Sequence, residues 1–203
     1  MNIIAQLSDA ANLLKHDFPF ILQWVGIAWA IQLVNVISGN KLQIFGILPR
    51  HILGVPGIFL SPFIHGDWNH LFMNSLFFIA MGCMLILHGK KAFYIVSISV
   101  IIISGIMVWF LGRKAWHVGA SSLVMGYWSF LTTKAYFEPD LIDLISAGLG
   151  VYYCGIHLTA SLLANGPGVS EEGHISGFIA GIITAIYFAP IKYYLNTFVT
   201  QLL

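Results

Sequence analysis

Apolar residues fall into six long runs along the chain, each near the roughly 20 residues that an α-helix needs to cross the hydrocarbon core of a bilayer. They extend from about Pro19 to Ile37, His70 to Leu87, Ala92 to Leu111, Ser121 to Phe137, Leu141 to Ala164 and His174 to Tyr194. Ahead of them, Ile3, Ile4, Leu7, Ala11 and Leu14 recur at helical spacing against Gln6, Asp9, Asn12 and Lys15. That pattern predicts a short amphipathic helix over residues 1–18, lying in the membrane interface. Tight links follow the second, third and fourth runs at Lys90-Lys91, Arg113–Val118 and Pro139-Asp140. The stretch Ser38–Asn69 is long, carries Pro49, Pro56 and Pro62, and is itself rich in Phe, Ile and Leu. Long apolar loops are uncommon and tend to be functional or embedded, so this one is expected to be partly helical and to lie against the outer leaflet. Asn165–Gly173 reads as a polar, acidic turn with hinge character around Gly166-Pro167-Gly168.

Composition supports a membrane reading. The chain is 58% hydrophobic and 8% charged, with mean hydropathy +0.85, whereas soluble domains carry about 25% charged residues. A net charge of +1 and the lack of a basic run argue against a nucleic-acid partner. At 203 residues the chain fits one domain, 1–203, with a six-helix core over 19–194. Cys83 and Cys154 each sit within an apolar run and suit packing rather than a disulfide or zinc site. No cleavable signal pattern precedes the first run. Five Lys residues on one side (Lys15, Lys90, Lys91, Lys134, Lys192) face four cations on the other (Lys41, Arg50, Arg113, Lys114), a slight lean toward both termini being cytoplasmic.

Alternation then brings chemistry together. In a six-span chain the second, fourth and sixth helices start on one face of the membrane, and these begin with His70 and Asn74, with Ser121, and with His174. A helix start offers free backbone N–H groups and the positive end of the dipole, which suits a tetrahedral oxyanion near Ser121. Gly119 allows a sharp turn just before it. His70 and Asn74, at i and i+4, lie on one helical face and can both donate toward that oxyanion. A neutral His174 can take the Ser121 proton and pass it to a leaving amine. Each feature has a plainer reading as well: a serine at a helix start is most often an N-cap, and a His–Asn pair is often a contact between helices. Gly177 and Gly181 form Gly-x-x-x-Gly, the mark of a closely packed neighbouring helix, for which the Ser121 helix is the natural candidate.

These residues resemble the rhomboid intramembrane serine proteases. The family's H-x-x-x-N is matched by His70-Leu-Phe-Met-Asn74, its G-x-S by Gly119-Ala-Ser121, and its histidine followed by G-x-x-x-G by His174-Ile-Ser-Gly177-Phe-Ile-Ala-Gly181. His65, five residues before the first motif, is matched as well, and the likeness extends over about Leu48 to Tyr187. It implies an all-α, six-helix membrane bundle with a partly helical first loop in the outer leaflet. It also implies a Ser121–His174 dyad, with His70, Asn74 and the Ser121 backbone on the oxyanion and Gly119, Gly177 and Gly181 shaping the site. Ser122 stands where the family often has glycine, Met125 where it often has an aromatic residue, no glutamate follows Gly82 in G-x-x-x-E, and the first loop lacks a Trp-Arg pair. Neither the fourth nor the sixth run contains an inner acid to complete a triad.

The resemblance implies a peptide-bond hydrolase of the bacterial inner membrane that acts on single-span membrane proteins without cofactor or metal. Two other readings compete. One is a catalytically silent relative that binds membrane segments as an adaptor or quality-control factor, although such relatives usually lack the serine or the histidine. The other is a haem or metal protein, prompted by eight histidines but unsupported by any H-E-x-x-H-like spacing. His16, His51, His88 and His117 are expected at interfaces, and His157 as a packing residue of the fifth run. Oligomeric state is not legible.

Overall fold

The computed structural model describes residues 3–139, 141–164 and 170–202, with side chains for all of these except 153–154, 156–164, 194 and 196–202. Seven α-helices follow one another: α1 Ile3–Ile37, α2 Gly57–Leu60, α3 Trp68–Ile86, α4 Lys90–Leu111, α5 Ser121–Phe137, α6 Leu141–Ala164 and α7 Glu171–Leu202. Three 3₁₀ turns, Lys41–Phe45, Ile52–Gly54 and Ser61–Phe63, flank α2. The connection from α1 to α3 is therefore partly helical, as its composition suggested. Among the described residues, extended pairing is limited to one antiparallel bridge between Ile47 and His117.

Four helix starts differ from the apolar runs. The amphipathic segment and the first span form one helix, Ile3–Ile37, rather than two, and Pro19 is accommodated inside it. Helix α3 starts at Trp68, before His70, because the Asp67 carboxylate caps it by accepting the His70 backbone N–H at 2.8 Å. Helix α7 starts at Glu171, before His174: the Ser170 hydroxyl accepts the Gly173 N–H at 3.0 Å, and two glutamates occupy the dipole-favoured first turn. Lys90 and Lys91 belong to α4, and the link before them ends at Gly89, whose φ of 91° is left-handed.

Among the described residues, four helices are long and apolar enough to cross a membrane: α1, α3, α4 and the part of α7 from Glu171 to Tyr193. The six expected spans correspond to six long helices, of which α5 and α6 fall short of that length and composition over their described residues. Helix α5 has only 17 residues and holds Ser121, Ser122, Ser129, Thr132 and Thr133, while the apolar side chains described for α6 reach only to Tyr152. Position explains the composition of α5. Every residue from Leu123 to Leu131 is buried, so this helix is enclosed on all sides, by α3, α4, α6 and α7. A helix that touches other helices rather than lipid does not need an apolar perimeter.

The outer ring shows the opposite pattern. Leu22, Ile27, Leu33, Val34 and Ile37 of α1, and Ile98, Ile106 and Phe110 of α4, are exposed. So continuous an apolar exterior suits lipid and not water. Inside, Phe78, Phe93 and Tyr127 from α3, α4 and α5 meet at 5.7–6.3 Å between ring centroids, and the Tyr127 hydroxyl lies 2.6 Å from Ser97 Oγ. On α5, Phe130 packs edge-on against Phe188 of α7 at 5.2 Å.

Glycines set how near the helices come. A methyl group added at Gly177 would overlap the Ser122 backbone, and one at Gly181 the Gly126 carbonyl. On the far side of α5, Gly126 faces the Val100 side chain of α4 and Gly150 of α6 faces the Trp128 ring. At the end of the bundle remote from Ser121, Asp143 of α6 is fully buried between Lys134 of α5 and His88, whose Nε2 is 2.8 Å from its Oδ1. The sequence placed His88 at an interface; the structure makes it part of an internal ion cluster with Asp143, since burial of one charge requires its partners beside it. Nearby, Lys90 of α4 pairs with Asp17 of α1 at 3.0 Å.

Gly181→Ala should separate α5 from α7 and cost about 1–3 kcal/mol, since the Ser129 hydroxyl could turn aside but the Gly126 carbonyl, being backbone, cannot. Thermal unfolding in detergent micelles measures this; an unchanged melting temperature is the contrary result.

Candidate active site

Ser121 is the first residue of α5 but does not cap it. The N-cap position belongs to Ala120, whose methyl offers no hydrogen bond, so the serine hydroxyl stays free of the usual role of a serine at a helix start. The first-turn N–H groups of α5 are accordingly without a side-chain cap, which makes them suitable for an anionic oxygen.

The turn before Ser121 is built by the α1–α3 connection. Gly119 has φ 114°, a conformation that disfavours any side chain. Space demands glycine there as well: a Cβ would stand 2.6 Å from His70 Cε1 and 2.7 Å from Nε2. The His70 ring thus lies directly on the serine turn. Backbone bonds fix the turn from outside, Gly119 N–H donating to the Ser61 carbonyl at 2.9 Å and Ile47 exchanging two bonds with His117, each 2.9 Å.

His65 completes this support. It is 1% exposed, stands edge-on to His70 with ring centroids 5.1 Å apart, and its Nε2 accepts the Ala120 N–H at 3.4 Å. Burial, reinforced by the neighbouring His70, depresses its pKa to about 3, so the ring is neutral and its proton is on Nδ1. Only the family resemblance singled out His65 in the sequence, and nothing there pointed to a contact with Ala120. Asn35 of α1 steadies the segment, its Nδ2 donating to the His65 carbonyl at 3.3 Å and its Oδ1 accepting the Leu42 N–H at 3.0 Å.

Asn74 is buried one turn below His70 and lines a small cavity with Ala120 and Leu123, on the inner side of the serine turn. One of its two amide hydrogens goes to the His70 carbonyl at 2.9 Å, which leaves a single donor for other work. His174, 5% exposed, is the fourth residue of α7, its N–H bonded to the Ser170 carbonyl at 3.2 Å. Its helix meets α5 in parallel register: Gly177 abuts Ser122 and, one turn on, Gly181 abuts Gly126. A narrow cleft, with room for about one water molecule, is lined by Gly119, Ser121 and Ser122 on one side and by Ser170 and Gly173 on the other.

Several expectations are sharpened or redirected by this arrangement. Ser121, Gly119, His70 and the Gly177 face of α7 are brought together. Ser122 lines the same cleft as Ser121, and Met125 is buried in the helix core. His117, expected at an interface, is buried and bonded to Ser170. Residues 165–169 of the turn Asn165–Gly173, Asp140, and the side chains of Cys154 and His157 lie outside the described residues. Among the described residues, no cluster of His, Cys, Asp and Glu could hold a metal ion.

An all-helical bundle with a lipid-compatible exterior, enclosing a polar helix that starts at a glycine turn, defines an integral membrane protein. The rhomboid domain model matches residues 54–191, which take in every helix from α2 into α7. The chain belongs to the rhomboid family. It is 30% identical over 173 residues to an uncharacterized protein of Mycobacterium tuberculosis and equally to one of Mycobacterium bovis, covering 81% of this chain and 72% of each relative. An uncharacterized protein of Mycobacterium leprae is 27% identical over 172 residues, covering 81% of this chain and 68% of that one.

The His65 ring gives a pH dependence of stability with a defined sign. Its native pKa of about 3 lies below the ordinary 6.5, so the unfolded chain takes up a proton first. The stabilising contribution is complete above pH 6.5 and is lost as pH falls toward 3. Between pH 6.5 and 5 the loss should approach about 2 kcal/mol. His65→Gln, which keeps an acceptor for Ala120 but does not titrate, should show a smaller drop in melting temperature over that interval; an equal drop would assign the effect to other groups.

Proposed function

We propose that this protein is an intramembrane serine endopeptidase, with Ser121 as nucleophile and His174 as general base. The observation that carries the reading is the register of α5 on α7. With Gly177 seated on Ser122, the first turns of two parallel helices open into one cleft, one helix beginning with Ser121 and the other holding His174 in its first turn. Membership of the rhomboid family adds its weight.

The chemistry follows from the parts. Ser121 Oγ attacks a peptide carbonyl carbon while His174 accepts the hydroxyl proton. The carbonyl oxygen becomes an oxyanion, met by the uncapped first-turn N–H groups of α5 and by donors from His70 and Asn74. Collapse expels the amine, which takes the proton from His174, and leaves an acyl-serine. Water, deprotonated by the same imidazole, releases the acid and restores the serine.

In this reading all six long helices span the membrane, α5 being sheltered by the others, and both termini face the cytoplasm of a bacterial inner membrane. The substrate is a single-span membrane protein, cut near the outward end of its helix. A helical segment hides its carbonyls in hydrogen bonds, so small or helix-weakening residues there lower the cost of presenting one to Ser121.

Fluorophosphonate labelling of the detergent-solubilised protein tests the nucleophile. Labelling and cleavage should vanish in Ser121→Ala and persist in Ser122→Ala, and a folded His174→Ala should turn over slower by orders of magnitude. An unlabelled wild-type protein would point instead to a silent, segment-binding relative.

Asn74→Ala separates transition-state from ground-state contacts. It should lower kcat, by no more than a few kcal/mol in barrier, with little change in KM. A change confined to KM would make Asn74 a docking or packing contact.

A further inference from the structure

The loop between α4 and α5 carries a buried link that the chemistry above does not use. His117 is 6% exposed, and its Nε2–H donates to the Arg113 carbonyl at 3.0 Å. Nδ1 lies 2.7 Å from the Ser170 hydroxyl, which donates to it when that nitrogen carries no proton. The same hydroxyl oxygen accepts the Gly173 N–H at 3.0 Å, so one group both caps α7 and holds the loop. Gly112 makes room for the ring, since a Cβ there would stand 3.1 Å from Nε2. Beside this link, Glu172 Oε1 accepts the Arg113 N–H at 3.3 Å.

Placement gives the link its meaning. His117 precedes Ser121 by four residues and its backbone is pinned on both sides by Ile47. Ser170 precedes His174 by four residues, and its carbonyl accepts the His174 N–H. A single side-chain bond therefore joins the two chain segments one turn ahead of the serine and of the histidine. The Gly177–Ser122 contact holds the helices together below the cleft; the His117–Ser170 bond holds them above it. The His117 ring is buried, so breaking the bond leaves its Nδ1 short of a protein partner.

We propose that His117, acting through Ser170, is a positioning residue that sets the separation of Ser121 and His174. The proposal rests on the serine–histidine reading above. Proton transfer requires heavy atoms about 2.6–3.2 Å apart, and a misplacement near 1 Å can cost on the order of a hundredfold in rate. A link that fixes the starts of both helices therefore acts on turnover more than on substrate binding.

The test uses the full-length protein in micelles, a single-span fusion protein as substrate, fluorophosphonate labelling of Ser121, and thermal unfolding. His117→Ala and Ser170→Ala should each lower kcat and the labelling rate, by about ten- to a hundredfold, with KM within about twofold. The double variant should be no slower than the slower single one, because both remove the same bond. His117→Asn, whose side-chain oxygen can replace Nδ1 as acceptor, should recover most of the rate. Should His117→Ala fail to fold, Ser170→Ala and His117→Asn carry the comparison. Wild-type kcat and labelling in either folded single variant would overturn the proposal, as would losses that multiply in the double variant. In those cases the wild-type protein still labels at Ser121 and the dyad stands. Cleavage that persists in Ser121→Ala would instead remove the dyad, and the positioning role with it.

Discussion

The bundle depends on the direct backbone contact between α5 and α7. Gly177 against Ser122 and Gly181 against Gly126 bring the two helices close enough for main chain to touch main chain. In a bilayer little hydrophobic force draws helices together, because lipid is as apolar as a leucine side chain; close packing has to supply the attraction. Once α7 is seated on α5, the remaining helices can enclose the pair, and the interior need not be dry of polar atoms. Ser129, Thr184 and Ser97 lie within it, each donating to a backbone carbonyl of its own helix, Gly126, Ala180 and Phe93 respectively.

Around the serine turn, the connection from α1 to α3 takes over. Its parts meet the turn at successive positions: Ile47 at His117, Ser61 at Gly119, His65 at Ala120. None of these partners is close in sequence to Ser121. A loop of this length would ordinarily be mobile, and its several hydrogen bonds and buried residues, among them Gly54, Ser61 and Pro62, oppose that. The exposed Ile52, Leu53, Phe59 and Leu60 on the other side of the same segment suit contact with acyl chains. One face thus braces the serine turn while the other faces lipid.

Much of this was legible in the sequence. Apolar runs located α3, α4, α5 and α6 to within a few residues, while the first covered only the second half of α1 and the last stopped short of the end of α7; the proline-punctuated stretch after the first run was correctly read as partly helical. Gly177 and Gly181 announced a close helix neighbour by spacing alone. Helix starts were less legible, since Asp67 and Ser170 lie outside the apolar runs and their effect depends on a single side-chain bond. The identity of α5 as an enclosed helix was hidden for a related reason. Hydropathy treats every span as facing lipid, whereas α5 faces other helices. Contacts between distant segments, such as His65 with Ala120, His117 with Ser170 and Asp143 with His88 and Lys134, leave no periodic trace, because each joins side chains whose separation in sequence is arbitrary.

The enclosure of α5 bears on how the protein reaches its membrane. A nascent chain delivers its helices in order, and α5 emerges while α7 is still unmade. At that stage its serines, threonines and Lys134 have neither the α7 backbone nor Asp143 of α6 to meet them. Alone in the hydrocarbon, such a segment pays for every polar group it carries. Its residence in the bilayer is thus conditional on later helices, α7 among them. The same late arrival brings His174 to the serine turn. The catalytic cleft proposed for this protein therefore comes into being only when α7 docks on α5.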